Sequence, residues 1–278
     1  MPNQVHSLWI GNSLSAMELL TIQSFIENDF VFNLWVYEKI NNLPQGIILK
    51  DANEIISVHQ IFKYKNQNKF GHGKGSVSGF SDLFRYKLLY DKGGIWTDMD
   101  ITCLQSFEIK EPYFFRYHHQ IGMVGNFMKV PAKSDLMWYC YQETLHQVNE
   151  DNINWLLPIE ILIQGIKKYD LQNFVGNISN MDSFLVVRKL LSNKKTPITQ
   201  WKIIHWMNEE FRRLNIDKNT AIKNSTYQIL LDKYHIKYQV LDKISALKLY
   251  FRISSFHYAW LNLKARINYF SNNFFLRN

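Results

Sequence analysis

The chain has 278 residues, 46% of them apolar and 20% charged, with a formal net charge of +8. That balance excludes a disordered chain and predicts one sizeable core with appendages, and two cysteines, Cys103 and Cys140, exclude a disulfide framework or a cysteine-built metal site. The excess of Lys and Arg is compatible with nucleic acid, anionic lipid or an anionic small substrate and does not choose among them.

No basic-then-apolar leader opens the sequence and no apolar run reaches the roughly 18 residues of a membrane span. The expected location is therefore the cytoplasm. Residues 5–10 read as a short apolar strand closed by Gly11, residues 16–25 as a helix and residues 31–37 as a second strand rich in β-branched and aromatic side chains. Strand, helix, strand at this spacing predicts a parallel βαβ unit in an α/β sheet. Ligands of such sheets sit beyond the carboxyl ends of strands, where Trp9-Ile10-Gly11-Asn12 falls.

Pro44 and Gly46 mark a turn, and residues 51–54 open a short helix. Gly71-His72-Gly73-Lys74-Gly75-Ser76 looks like a phosphate loop, but lacks the Gly-Lys-Ser/Thr ending and follows no strand. A flexible loop over the site is the expectation.

The run from Phe80 to Asp100 is the most informative stretch. Phe80, Leu83, Phe84 and Leu88 recur at helical spacing; Ser81 or Asp82 is expected to cap the helix, Lys92 to occupy its last turn and Gly93 to stop it in the left-handed region. Residues 95–104 read as a strand, in which Asp98 and Asp100, two apart, point to one side with α-carbons roughly 6–7 Å apart. Like charges side by side call for a hard divalent cation, although an isolated Asp-x-Asp also fits a solvated strand end.

The whole run Ser81, Asp82, Arg85, Tyr86, Gly93, Gly94, Trp96, Asp98 and Asp100 resembles the signature of glycosyltransferase family 32, bacterial sugar transferases of capsule and lipopolysaccharide synthesis. More distantly it resembles the same element of the large glucosylating bacterial toxins. Val5, His6, Trp9 and Gly11 are similar to the family's N-terminal motif. The resemblance implies a GT-A fold: a nucleotide-sugar-binding α/β domain with a mixed central sheet and additional C-terminal helices. It implies a UDP- or GDP-sugar donor and Mn2+ or Mg2+, with Asp98 and Asp100 catalytic and the cation held by Asp98, Asp100 and a late histidine. It also implies that Trp9 lies near the base, against the alternative that Trp9 is plain core. Asp98 would approach the ribose or sugar, Asp82 the sugar hydroxyls, and Trp96 would join the donor site. Arg85 reaches sugar or diphosphate, or forms an ion pair with Asp82 three residues earlier. Relatives retain the anomeric configuration, which implies front-face attack.

Downstream, residues 114–117 read as a strand followed by His118-His119, whose side chains point to opposite faces; His119 is at most a substrate contact and not part of a paired metal site. Asn126 lies in a further strand before a helix over residues 134–148, with Met137, Tyr141 and Leu145 as its core face. Pro158 is present where relatives carry Gly-Pro beside the acceptor, but the glycine is not; a helix follows over 160–169. In Ile203-Ile204-His205-Trp206-Met207-Asn208-Glu209-Glu210, His205 matches the family's late histidine, either a neutral imidazole ligand suited to Mn2+ or a buried, hydrogen-bonded histidine.

The tail, residues 240–278, sets Lys243, Lys248, Arg252, Lys264, Arg266 and Arg277 against the single acid Asp242, mixed with Phe256, Trp260, Tyr269, Phe274 and Phe275. It reads as a surface for anionic lipid or as helices packed back on the domain. The expected organisation is a catalytic domain over 1–239 and a basic aromatic extension over 240–278. The expected function is a metal-dependent retaining hexosyltransferase acting from nucleotide sugar onto an oligosaccharide or lipid-linked glycan at the inner face of the plasma membrane, with no nucleic acid. A non-catalytic sugar- or lipid-binding protein and a metal-dependent nucleic-acid enzyme are the alternatives; the second predicts basic clusters flanking Asp98, which the sequence lacks.

Overall fold

The computed structural model describes residues 4–192 and 196–275, with side chains as far as Ile267. Arg277 and the side chains of Tyr269, Phe274 and Phe275 lie outside the described residues. The chain opens with β1 (Gln4–Trp9), α1 (Ala16–Ile26) and β2 (Val31–Val36). β1 and β2 run parallel from Gln4↔Val31 to Trp9↔Val36, the βαβ unit expected from the spacing. There follow β3 (Ile48–Asp51), α2 (Ser78–Lys92), β4 (Gly94–Thr97), β5 (Ile101–Cys103), β6 (Phe114–His118), β7 (Gly122–Val130), α3 (Asp135–Gln147), α4 (Leu157–Lys168), β8 (Val175–Gly176) and α5 (Phe184–Ser192). β9 (Ile203–His205), α6 (Asn208–Arg213), α7 (Thr226–Lys233), α8 (Lys243–Arg252) and α9 (Ser255–Phe275) complete the elements used below.

Among the described residues the main sheet has seven strands in the order β3-β2-β1-β4-β7-β6-β8. β1 to β4 associate in parallel, whereas β7 is antiparallel to both β4 and β6. This is the mixed α/β architecture, with further C-terminal helices, that the resemblance implied. α2 lies against the sheet with Phe80, Phe84, Leu88 and Leu89 fully buried, and α3 and α4 pack beside it.

Three local expectations change. First, α2 begins at Ser78, so Ser81 and Asp82 lie inside it and do not cap it. The start is supported from further upstream: Ser78 N–H donates to Ser76 Oγ at 3.1 Å, and Trp155 Nε1 donates to Ser78 Oγ at 2.7 Å. Its end is as expected. Gly93 takes φ 68°, and a Cβ there would lie 2.5 Å from the Ala132 nitrogen, so only glycine fits.

Second, residues 95–104 do not form one strand. β4 stops at Thr97, Asp98 N–H donates to Asn126 O at 2.8 Å, and β5 pairs antiparallel with β9 in a separate two-stranded sheet. The cause is competition for backbone: Trp206 N–H donates to Asp100 O at 2.9 Å, drawing the chain off the main sheet. Asp98 and Asp100 therefore flank a turn. Third, α3 buries Leu136, Met137, Cys140 and Thr144, while Leu145 is exposed.

The C-terminal helices are packed on the domain along one side. Leu249 and Ile253 join a core cluster with Trp206, Phe211 and Tyr227, and Tyr258 stacks on Phe184 at 4.9 Å between ring centroids.

Candidate active site

A cavity of about 500 Å³ opens at the carboxyl ends of β1 and β4, a size typical of small-molecule sites. Trp9, Asp82, Arg85, Trp96, Asp98, Asp100 and His205 all line it. Trp9, on the cavity wall, is only partly buried and donates Nε1 to Ser13 O at 3.1 Å; it is not plain core.

Two carboxylate–cation arms build the floor. In the first, Arg85 lies between Asp82 (Nη1–Oδ1 3.1 Å) and Asp98 (Nη2–Oδ1 2.8 Å), so the ion pair and the cavity-facing position coexist. Trp96 is 1% exposed; it donates Nε1 to Asp98 Oδ1 at 2.7 Å and packs under Arg85, so it supports the site more than it offers a stacking surface. Room for the guanidinium is made on β7, where a Cβ at Gly125 would lie 2.9 Å from Arg85 Nη1. Burial pushes the Asp82 carboxyl up to about 6, with Arg85 opposing. Burial also raises Asp98 in spite of Arg85.

In the second arm, His205 is held between Asp100 (Nε2–Oδ2 3.3 Å) and Asp182 (Nδ1–Oδ1 2.5 Å). Asn208 N–H donates to Asp100 Oδ2 at 2.7 Å, and Asn180 Oδ1 accepts from His205 N–H at 2.8 Å. Behind Asp182 stands Arg116, 1% exposed, which donates to Asp182 Oδ2 at 2.5 Å, to Asn126 Oδ1 at 2.7 Å and to Ser179 Oγ at 2.8 Å. Burial alone would lower His205, but the two carboxylates outweigh it and raise the imidazole to about 9. Asp100 and Asp182 are held below the usual carboxylate range: burial opposes this, and His205 overcomes it.

Both ring nitrogens of His205 thus face carboxylates, whose charges favour its protonated form. Asp182 and Arg116 were not singled out from the sequence, because neither stands in a motif; the only available signal was that a strand arginine in an apolar run needs a buried partner. The histidine pair is also reversed. His118 lines the cavity with Nε2 3.6 Å from Asp182 Oδ2, whereas His119 only stacks on it.

The loop with alternating glycines lies over the cavity, which His72, Gly75 and Ser76 line. It is tied to α6: Gly73 N–H donates to Glu209 at 3.1 Å, His72 meets Glu210 at 3.2 Å, and Arg212 donates to Lys74 O at 2.8 Å.

Among the described residues no group of three or more His, Cys, Asp or Glu side chains is already arranged to hold a metal. In kind, however, the donors fit a divalent cation. Both side-chain bonds of Asp98 fall on Oδ1, Asp100 and His205 Nε2 adjoin, and Asp182 stands behind Nδ1 as a carboxylate stands behind a metal-bound histidine.

Residues 21–123 match the family model described as a glycosyltransferase sugar-binding region containing a DXD motif. Over these residues the chain is similar to DXD glycosyltransferases. Its DXD is Asp98-Met99-Asp100, and the matched region holds the whole Arg85 arm but neither Asp182 nor His205. Among solved structures, the chain is similar to one titled PaToxG Glycosyltransferase, with 15% identity, 60% of this chain and 69% of that one covered, and a TM-score of 0.44. It is also similar to a transferase mutant carrying two cysteine-to-serine substitutions, with 11% identity, 62% of this chain and 85% of that one covered, and a TM-score of 0.39. No curated protein matches.

Proposed function

We propose that this chain is a DXD glycosyltransferase, a metal-dependent, retaining enzyme that moves a hexose or N-acetylhexosamine from a UDP- or GDP-sugar to a growing surface glycan of the capsule, lipopolysaccharide or O-antigen type. The observation that carries the reading is convergence: residues chosen from Trp9, from the run around the DXD and from the remote His205 line one cavity. In this reading Trp9 flanks the base, Asp82 accepts hydroxyls of the donor sugar, and Arg85, fixed by two carboxylates, turns its remaining donors toward sugar or diphosphate. Asp98, Asp100 and His205 would hold a divalent cation, which when bound would supply charge neutralisation for the departing diphosphate. Mn2+ is favoured over Mg2+ where an imidazole is a ligand.

The bond from the anomeric carbon to diphosphate breaks and one to the acceptor oxygen forms; the acceptor proton passes to the leaving phosphate oxygen. Retention by double displacement needs a free carboxylate beside the anomeric carbon. The acids lining the cavity are each engaged: Asp82 and Asp98 with Arg85, Asp100 and Asp182 with His205, Glu18 with Lys218, Glu209 with Arg212 and Glu210 with Arg213. That favours front-face attack.

The arginines at the cavity, Arg85, Arg116 and Arg212, are likewise paired with carboxylates, which disfavours a nucleic-acid backbone as the occupant. Residues 1–239 would be the catalytic domain, working in the cytoplasm on an oligosaccharide or lipid-linked acceptor. The test is a screen of nucleotide sugars for Mn2+-dependent hydrolysis. Release of nucleoside diphosphate from one donor, abolished by chelator, is expected; no turnover or binding of any nucleotide sugar contradicts the reading.

A further inference from the structure

Among the described residues no helix is long and apolar enough to cross a membrane, yet α9 presents an apolar face that none of them covers. Phe256, Trp260, Leu263 and Ile267 are 76%, 57%, 51% and 56% exposed. At 3.6 residues per turn, these positions fall within roughly 60° of one another around the helix. The opposite side is the one the protein uses. There Tyr258 stacks on Phe184 and bonds Glu210, Asn262 accepts from Arg213 at 2.6 Å, and Ala265 is buried against Gly71.

The edges of the stripe are basic. By the same geometry Lys264 lies on one side of it and Arg266 on the other, roughly 70–90° from its centre, and both are exposed. The neighbouring α8 repeats the pattern. Ile244 and Leu247 are each 67% exposed and Phe251 is 59% exposed, at spacings of three and four, with Lys243, Lys248 and Arg252 also exposed. From Val240 to Ile267 the only acid is Asp242, and its carboxylate is spent capping α8 through the N–H groups of Ile244 and Ser245.

We propose that the outer face of α8 and α9 is an interfacial docking surface for an anionic lipid bilayer. Phe256, Trp260, Leu263 and Ile267 enter the boundary between headgroups and acyl chains, with Lys264 and Arg266 against the lipid phosphates. An apolar stripe bordered on both sides by cations is the arrangement that lies in a membrane plane. A second copy of the chain is the less favourable occupant. Two-fold pairing brings a patch against itself, which would set Lys264 and Arg266 against their own like charges with no Asp or Glu on the face to compensate. The inference does not rest on the transferase reading, since lipid binding is measured without turnover.

The test uses the full chain and sedimentation with vesicles of phosphatidylcholine alone or mixed with phosphatidylglycerol. Binding to the mixed vesicles and not to the neutral ones is expected. Lys264→Glu with Arg266→Glu should weaken it roughly thirtyfold or more, since each surface cation contributes about 1 kcal/mol. Phe256→Ser with Trp260→Ser should weaken it by at least about tenfold while leaving circular dichroism unchanged, because both side chains are exposed. Equal vesicle binding by wild type and both variants, or none by wild type, overturns the proposal. So does a lipid-free dimer in analytical ultracentrifugation that Trp260→Ser dissolves, which would assign the face to a second copy.

Discussion

The two arms at the floor of the cavity use the same chemistry, a cation between two carboxylates, but are assembled differently. The Arg85 arm is local: Asp82 and Arg85 share α2, and Trp96 and Asp98 follow within the next strand and turn. Its cation keeps its charge at every accessible pH. The His205 arm is remote. Asp100 follows β4, His205 ends β9, Asp182 precedes α5 and Arg116 comes from β6, so the arm exists only once these elements have packed. Its basic member is a histidine, a group that can give up its proton. The first arm is thus a fixed scaffold, whereas in the proposed function the second would exchange its proton for a metal ion.

Substitutions separate the two. The largest effect is expected at the joint between them: Asp100→Ala removes a proposed ligand and the partner of both His205 and Asn208, and should cut sugar transfer on the order of a thousandfold. Steady-state kinetics with circular dichroism as a fold control checks it, and undiminished turnover would break the comparison. Next, Arg85→Met leaves the buried Asp82 and the partly exposed Asp98 without their cation and should lower stability by about 3 kcal/mol in urea unfolding; Arg85→Lys should restore only part of this, lacking the two-pronged geometry.

Asp182→Asn should be milder and of another kind. Loss of the group that orients His205 should reduce turnover by roughly ten- to a hundredfold and shift the metal dependence, with little change in the donor KM at saturating metal. Smallest is Gly125→Ala, whose methyl would press on Arg85 Nη1 at 2.9 Å and Leu162 Cδ2 at 3.0 Å. It should cost about 1 kcal/mol and, if the first arm is rigid, weaken donor binding in step with stability.

The same contrast explains what the sequence disclosed. The βαβ opening, the body of α2, the glycine stop and the Asp82–Arg85 pair were legible because their determinants are close in the chain: helical spacing, a turn that only glycine fits, and an acid three residues from an arginine. The mixed sheet came from the family resemblance. The break after Thr97 was not legible, because it depends on Trp206 and Asn208, more than a hundred residues on, bonding to Asp100. Asp182 was silent for the same reason. No motif surrounds it, and its importance comes from Arg116 and His205 reaching it from other elements. His118 and His119 could be split by strand alternation, but alternation does not say which face meets the cavity.

The central claim is that the two arms close on one donor–metal site, and the coupling between donor and metal tests it most directly. Mn2+ would be titrated calorimetrically into wild type and His205→Ala, each with and without the nucleoside diphosphate that the hydrolysis screen identifies. In wild type, metal and nucleotide should tighten one another by the same factor; in His205→Ala that factor should shrink, and Mn2+ should be weakened more than Mg2+. If the variant keeps the full coupling and the same metal preference, His205 is a structural histidine between two aspartates and the second arm is no part of the metal site.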